Sequence, residues 1–102
     1  MTVSKTVEDN LSDKDFSVSV FAAKMGVSKK YLYDILRKYW KTTPSVYIRE
    51  ERLRVARNLL ETSSLTVSEI SERVGFSSPS YFVSVFRKET GTTPLNYKQK
   101  RK

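Results

Sequence analysis

At 102 residues the chain has room for one domain, or two very small ones sharing a core, and its 38% hydrophobic content suits a modest compact fold. The absence of cysteine and histidine excludes disulfides and thiolate metal sites and removes the usual general base and metal ligand, so no cofactor, metal site or enzyme activity is expected. The net charge of +8 is large for this length, no apolar run approaches the roughly 18 residues of a membrane helix, and no signal peptide opens the chain; a soluble cytoplasmic protein without membrane contact is expected.

Val3, Val7 and Leu11 stand at i, i+4 and i+8 and predict a weak amphipathic helix at the N-terminus. Ser17 is placed to cap a short second helix, with Phe16 and Phe21 as its hydrophobic staple and Gly26 as its stop. A third helix starts after Ser28. At about 100° per residue, Leu32, Ile35, Leu36 and Tyr39 form one stripe, predicted to be buried, while Lys30, Tyr33, Asp34 and Arg37 form the opposite, exposed one.

The phrase "KTTPSVY", Lys41 to Tyr47, punctuates the end of that helix. Thr43 caps the next one and Pro44 takes its first position. Lys41 stands where a glycine would ease a left-handed stop, so a less regular ending is expected there. Pro44 to about Thr62 reads as one long helix, about 27 Å at 1.5 Å per residue. Ile48, Leu53, Val55, Ala56, Leu59 and Leu60 gather on its broad apolar face. Arg49 and Arg52 fall inside that face. Either their stems snorkel at its edge, or an ion pair to Glu69 or Glu72 ties this helix to the C-terminal part of the chain.

Thr66 and Glu69 form a capping box, with Leu65 and Ile70 as the staple, and the short helix they begin stops at Gly75. A further helix starts after Ser78, with Pro79 at its first position. Tyr81, Phe82, Val85 and Phe86 predict its buried stripe; Ser80, Val83, Ser84 and Arg87 predict its exposed one. The aromatics of both buried stripes read as core. "GTTPLNY" then repeats the earlier punctuation: Gly91 stops the helix, Thr93 caps the last one, and Pro94 begins it.

The repetition extends beyond the phrase. Leu36-Arg37-Lys38 falls on Phe86-Arg87-Lys88 at an offset of 50, and "VSVFAAKMGVS" (Val18 to Ser28) falls on "VSEISERVGFS" (Val67 to Ser77) at an offset of 49. Each copy reads as helix, glycine-containing turn, helix, which is the helix-turn-helix plan. The chain therefore divides into a first unit over 1–43, a linker helix over 44–62 and a second unit over 63–102. Charge follows the same division: residues 28–41 carry +4 and residues 78–102 carry +5. Two basic blocks at matching places argue for a polyanionic partner, double-stranded DNA.

A helix fits the major groove and presents its N-terminal residues to base edges. Lys30 can donate to guanine, Asp34 can accept from a cytosine amino group, and Tyr33 can hydrogen-bond or pack on a thymine methyl. Arg37, Arg87, Lys88 and Lys98 are placed for phosphates. The second helix offers only the short side chains Ser80, Val83 and Ser84, so the first unit is expected to carry most base readout. A competing reading is a protein-interaction module that contacts RNA polymerase without reading DNA.

The string "VSEISERVGFSSPSYFVSVFRKETGTTPLNYK", with "YIREERLRVARNLL" and "FSVSVFAAKMGVSKKYLYDILRK", resembles the DNA-binding domain of the AraC/XylS family of bacterial transcription regulators. The resemblance runs from about Leu11 to Tyr97. It implies an all-α fold of about seven helices, with two helix-turn-helix units joined by the long helix and each recognition helix in a neighbouring major-groove segment. The family's base-contacting positions map onto Lys30, Tyr33 and Asp34, and onto Pro79, Ser80, Val83 and Ser84; phosphate contacts are expected from Ser28, Lys29, Arg37, Ser78, Arg87, Lys88 and Lys98. Asp34 and Ser84 depart from the arginine or lysine that family members often carry there. The resemblance also implies an effector or sensor domain elsewhere in a longer protein, of the kind found in hybrid two-component sensors.

Overall fold

Seven helices, each opened by a serine or threonine hydroxyl, make up a computed structural model of the chain that describes residues 2–100. Met1, Arg101, Lys102 and the side chain of Lys100 lie outside that description, and with them the end of the second basic block. The order is α1 (Val3–Asn10), α2 (Val18–Met25), α3 (Lys29–Trp40), α4 (Pro44–Thr62), α5 (Val67–Arg73), α6 (Pro79–Thr90) and α7 (Pro94–Lys100). The side-chain oxygens of Thr2, Ser17, Ser28, Thr43, Thr66, Ser78 and Thr93 each accept from the backbone N–H three residues on. Each satisfies one of the donors that a helix start leaves free. At α5 the box is closed from both sides, because Glu69 Oε1 accepts from Thr66 N at 2.8 Å. Those bonds from Thr66 hold the Glu69 carboxyl below the usual glutamate range. Their contribution to stability is present at neutral pH and fades as pH falls below about 4.

The helix ends answer the glycines. Gly26, Gly75 and Gly91 all take positive φ, and Lys41 is the one non-glycine among the described residues that does, at φ 57°. Lys41 thus stops α3 at the place where Gly91 stops α6. The expected irregularity lies in the hydrogen bonding: Gly91 N–H donates four residues back, to Arg87 O, whereas Lys41 N–H donates five residues back, to Leu36 O.

Two apolar cores meet along α4. Val3, Val7, Leu11, Phe16, Phe21, Ala22, Leu32, Leu36 and Ile48 form the first, with the Phe16 and Phe21 rings 5.6 Å apart as the staple of α2. Leu53, Ala56, Leu60, Ile70, Val74, Phe76, Phe82 and Phe86 form the second. Val55 packs against both. Phe76, Phe82, Phe86 and Tyr97 follow one another at centroid distances of 5.0, 5.7 and 5.5 Å. The Tyr97 hydroxyl donates to Glu61 on α4, so α7 is braced on both the second core and the linker helix. The molecule is elongated, 42 × 22 × 21 Å.

Three expectations need correction. Tyr39 and Tyr81, placed in the buried stripes, are 67% and 50% exposed. Tyr39 lies in the last turn of α3, beyond the end of the first core, and Tyr81 sits at the edge of its stripe, against Phe76 at 5.8 Å. Ile35 is only half-buried. The third correction concerns the arginines of α4. Arg52 does not pair with Glu69 or Glu72; its Nε donates to Leu11 O at 3.3 Å and its Nη2 to Asp13 O at 2.9 Å. Glu69 is already engaged in its own helix cap. Arg49 does reach the second unit, but at Glu89 of α6, 3.8 Å away.

Gly75 lies against the same carbonyl that Arg52 holds. A Cβ there would fall 2.0 Å from Leu11 O and 3.0 Å from Arg52 Nε. Gly91 has the same backbone conformation with nothing within 4 Å. Urea denaturation should therefore separate the two. Gly91→Ala should cost about 1–2 kcal/mol of left-handed strain, and Gly75→Ala about 3 kcal/mol or more, since overpacking adds to that strain. In the same assay Lys41→Gly should stabilise the chain by up to about 1 kcal/mol, because it relieves a left-handed residue without touching the core.

Candidate nucleic-acid interface

Both second helices of the units begin in a way that suits an anion. The N-terminus of a helix carries partial positive charge and favours acidic side chains in its first turn. Neither α3 nor α6 has one there. The first turn of α3 instead holds Lys29 and Lys30, both exposed. Two cations at that end are unfavourable for the isolated helix and favourable toward an external polyanion.

The cap hydroxyls of Ser28 and Ser78 accept from Tyr31 N and Tyr81 N, each at 3.1 Å. Each keeps its own proton free to donate outward. On α3, Lys30, Tyr33, Asp34 and Arg37 are all exposed and share one face. They are joined in two pairs. Lys30 Nζ lies 2.9 Å from Asp34 Oδ2, and the Arg37 guanidinium sits over the Tyr33 ring, 5.8 Å from its centroid. Both charged groups proposed for base contact are thus presented as one unit, and the phosphate-directed arginine rests on the neighbouring tyrosine.

On α6, Pro79, Ser80, Ser84, Arg87 and Lys88 are exposed, and Val83 is half-buried. Arg87 and Lys88 enter no ion pair among the described residues. Lys98 differs from the other cations: its Nζ donates to Leu65 O at 2.6 Å, which fastens α7 to the entry of α5. Two of its three ammonium protons remain for another acceptor.

Sequence reasoning missed Tyr81 and Arg49 as neighbours of this surface. With Ser84, Val85, Lys88 and Glu89 they line a recess of about 310 Å³ between α4 and α6. The signal was present, since at the helical step Tyr81 borders Ser84 and Lys88 as closely as it borders the core. No group of three acidic, histidine or cysteine side chains among the described residues could hold a metal ion. No described helix is long and apolar enough to cross a membrane.

Known proteins share this arrangement. A helix-turn-helix domain family matches residues 21–100. A histidine kinase from Formosa agariphila is 40% identical over 94% of this chain, which covers 7% of that protein. The chain spans about a third of the curated regulators that match after it. Among solved structures, a transcriptional regulator from Chromobacterium violaceum described as containing an AraC-type DNA-binding domain superimposes with a TM-score of 0.87 at 32% identity, over 97% of this chain and 88% of that one. The DNA-binding domain of the global transcriptional factor AdpA, solved in complex with a target DNA, superimposes with a TM-score of 0.86 at 28% identity, over 95% and 89%.

The Lys30–Asp34 pair lies in water, so it should add little to the fold. Thermal melts of Lys30→Ala and Asp34→Ala should differ from the parent by no more than about 0.5 kcal/mol in stability.

Proposed function

The chain belongs to the AraC-type helix-turn-helix family, and from that premise we propose that it binds double-stranded DNA sequence-specifically and regulates transcription, with α3 and α6 reading neighbouring segments of the major groove. The family consists of DNA-binding regulators, not enzymes. The observation that carries the reading for this chain is the matched pair of exposed helix faces, each at the same place in a duplicated unit. The long dimension of 42 Å suits two reading heads set one helical turn apart, roughly 34 Å.

In this reading the units are 1–43 and 63–102, with 44–62 as the linker. Lys30, Tyr33 and Asp34 of the first unit and Pro79, Ser80, Val83 and Ser84 of the second face base edges. Ser28, Lys29, Arg37, Ser78, Arg87, Lys88 and Lys98 hold phosphates. Half-burial of Val83 leaves it suited to a thymine methyl and little else. The AdpA complex supports DNA as the partner. The match to a histidine kinase supports a sensor domain in a longer protein; a domain that binds chromosomal DNA would then work in the cytoplasm, at the nucleoid. RNA polymerase is the further partner that an activator of this kind would require.

Three measurements test the reading. Binding to duplex DNA should weaken steeply with salt, with a slope of about −0.9 per phosphate neutralised; a flat profile would leave only the protein-interaction alternative. Selection from a random duplex pool should enrich two short elements about one turn apart. Lys30→Ala should then relax base preference more broadly than Ser84→Ala, since each good base contact is worth about 1–3 kcal/mol. The reverse order would move the main readout to the second unit.

A further inference from the structure

The Lys30–Asp34 pair has no structural role that explains it. Its side chains are 86% and 58% exposed, and such pairs contribute little to folding. Lysine precedes aspartate, the less favourable order along a helix, and the lysine sits at the end where the helix dipole disfavours a cation. An acid on a face turned to DNA also weakens the general attraction to phosphates. The pair adds little to stability and costs non-specific affinity.

The edge of a base pair supplies the missing role. In the major groove of a G·C pair, guanine O6 and the cytosine N4 amino group are an acceptor and a donor side by side. They are hydrogen-bonded to each other, so they stand roughly 2.9 Å apart. Lys30 Nζ and Asp34 Oδ2 present the complementary donor and acceptor at the same separation, 2.9 Å. Laid along that edge, Asp34 accepts from cytosine N4 and Lys30 donates to guanine O6. The ammonium group has three protons. One stays on Asp34, one goes to O6, and the third reaches guanine N7.

The other three pairs fail in ways that can be ranked. A T·A pair in the same frame keeps the acceptor–donor order through O4 and N6, but a methyl group replaces N7 and leaves one ammonium proton unpaired. C·G and A·T invert the order, so lysine faces an amino group and aspartate faces an acceptor. On the premise of the DNA-binding reading above, we infer that Lys30 and Asp34 act as one unit that selects a single oriented G·C pair, with Asp34 as the specificity-determining residue. Asp34 holds the ammonium on the base edge and away from the backbone.

The test begins with the site that the chain selects from a random duplex pool. One position in the element read by the first unit should be G·C in one orientation. Exchange for C·G or A·T should weaken binding by roughly tenfold or more, and exchange for T·A by less. With the unaltered protein, 7-deazaguanine or N4-methylcytosine at that position should weaken binding, whereas inosine, changed only in the minor groove, should not. Asp34→Ala should become indifferent to N4-methylcytosine and should bind mixed-sequence duplex a few-fold more tightly. If the enriched site has no such position, or Asp34→Ala still senses the cytosine amino group, the inference falls while DNA binding stands. If no sequence is enriched at all, the functional reading falls and takes the inference with it.

Discussion

The carbonyl of Leu11 is where three parts of the chain are locked together. It ends α1, accepts from Arg52 in the middle of the linker helix, and lies where a side chain on Gly75 would have to go. A helix C-terminus leaves carbonyls without partners and carries partial negative charge, so a guanidinium is a fitting neighbour. The planar fork of arginine presents Nε and Nη2 to the carbonyls of Leu11 and Asp13 at once in a fixed geometry, so less freedom is lost per hydrogen bond than with a lysine. Burial pushes the Arg52 pKa below its ordinary value, with Asp13 opposing that shift. The turn of the second unit is therefore seated on the backbone of the first, and the orientation of α6 relative to α3 follows from that seat. Two reading heads that are already oriented lose less freedom on binding than two heads on a loose tether.

Most of the helix boundaries were legible because their causes are local. A hydroxyl capping an N–H three residues away, a proline at the first position and a left-handed glycine at the stop all lie within a few residues of sequence. Thr66 with Glu69, and Thr93 with Pro94, carry their meaning without reference to the rest of the chain. The joint between the units was not legible for the opposite reason. Its acceptors are the backbone carbonyls of Leu11 and Asp13, which have no residue-type signature, and its donor comes from about forty positions away. Reasoning from side-chain charge alone sent Arg52 to Glu69 or Glu72. Gly75 was read correctly as a turn residue, but the second demand on it, room for the Leu11 carbonyl, exists only once the helices have packed.

The reading surface falls between these cases. Lys30, Tyr33, Asp34 and Arg37 share a face by helical period, and the same period places Lys30 against Asp34 and Tyr33 against Arg37 one turn on. Their pairing was implicit in the spacing even though each side chain was weighed alone. Tyr39 and Tyr81 are exposed for a tertiary reason. A periodic stripe tells which way a residue points, not whether another helix is there to cover it.

The duplication makes the two heads a controlled comparison. Both are capped by serine, both stop at a left-handed residue, and both use the same pair of core positions, Leu32 with Leu36 and Phe82 with Phe86. They differ in how charge is held. The cations on the reading face of α3 are engaged by partners on their own helix, while Arg87 and Lys88 of α6 enter no ion pair among the described residues. Unpaired cations favour any phosphate backbone equally, whereas a paired ion must find an acceptor and a donor in the right order before it gains anything over water. In the proposed reading, one head is thus arranged for grip and the other for choice. For a regulator facing a large excess of wrong sites, the ratio of specific to non-specific binding matters more than affinity alone. On that reading, pairing one cation of the head that reads is a more effective use of a single aspartate than adding one more cation.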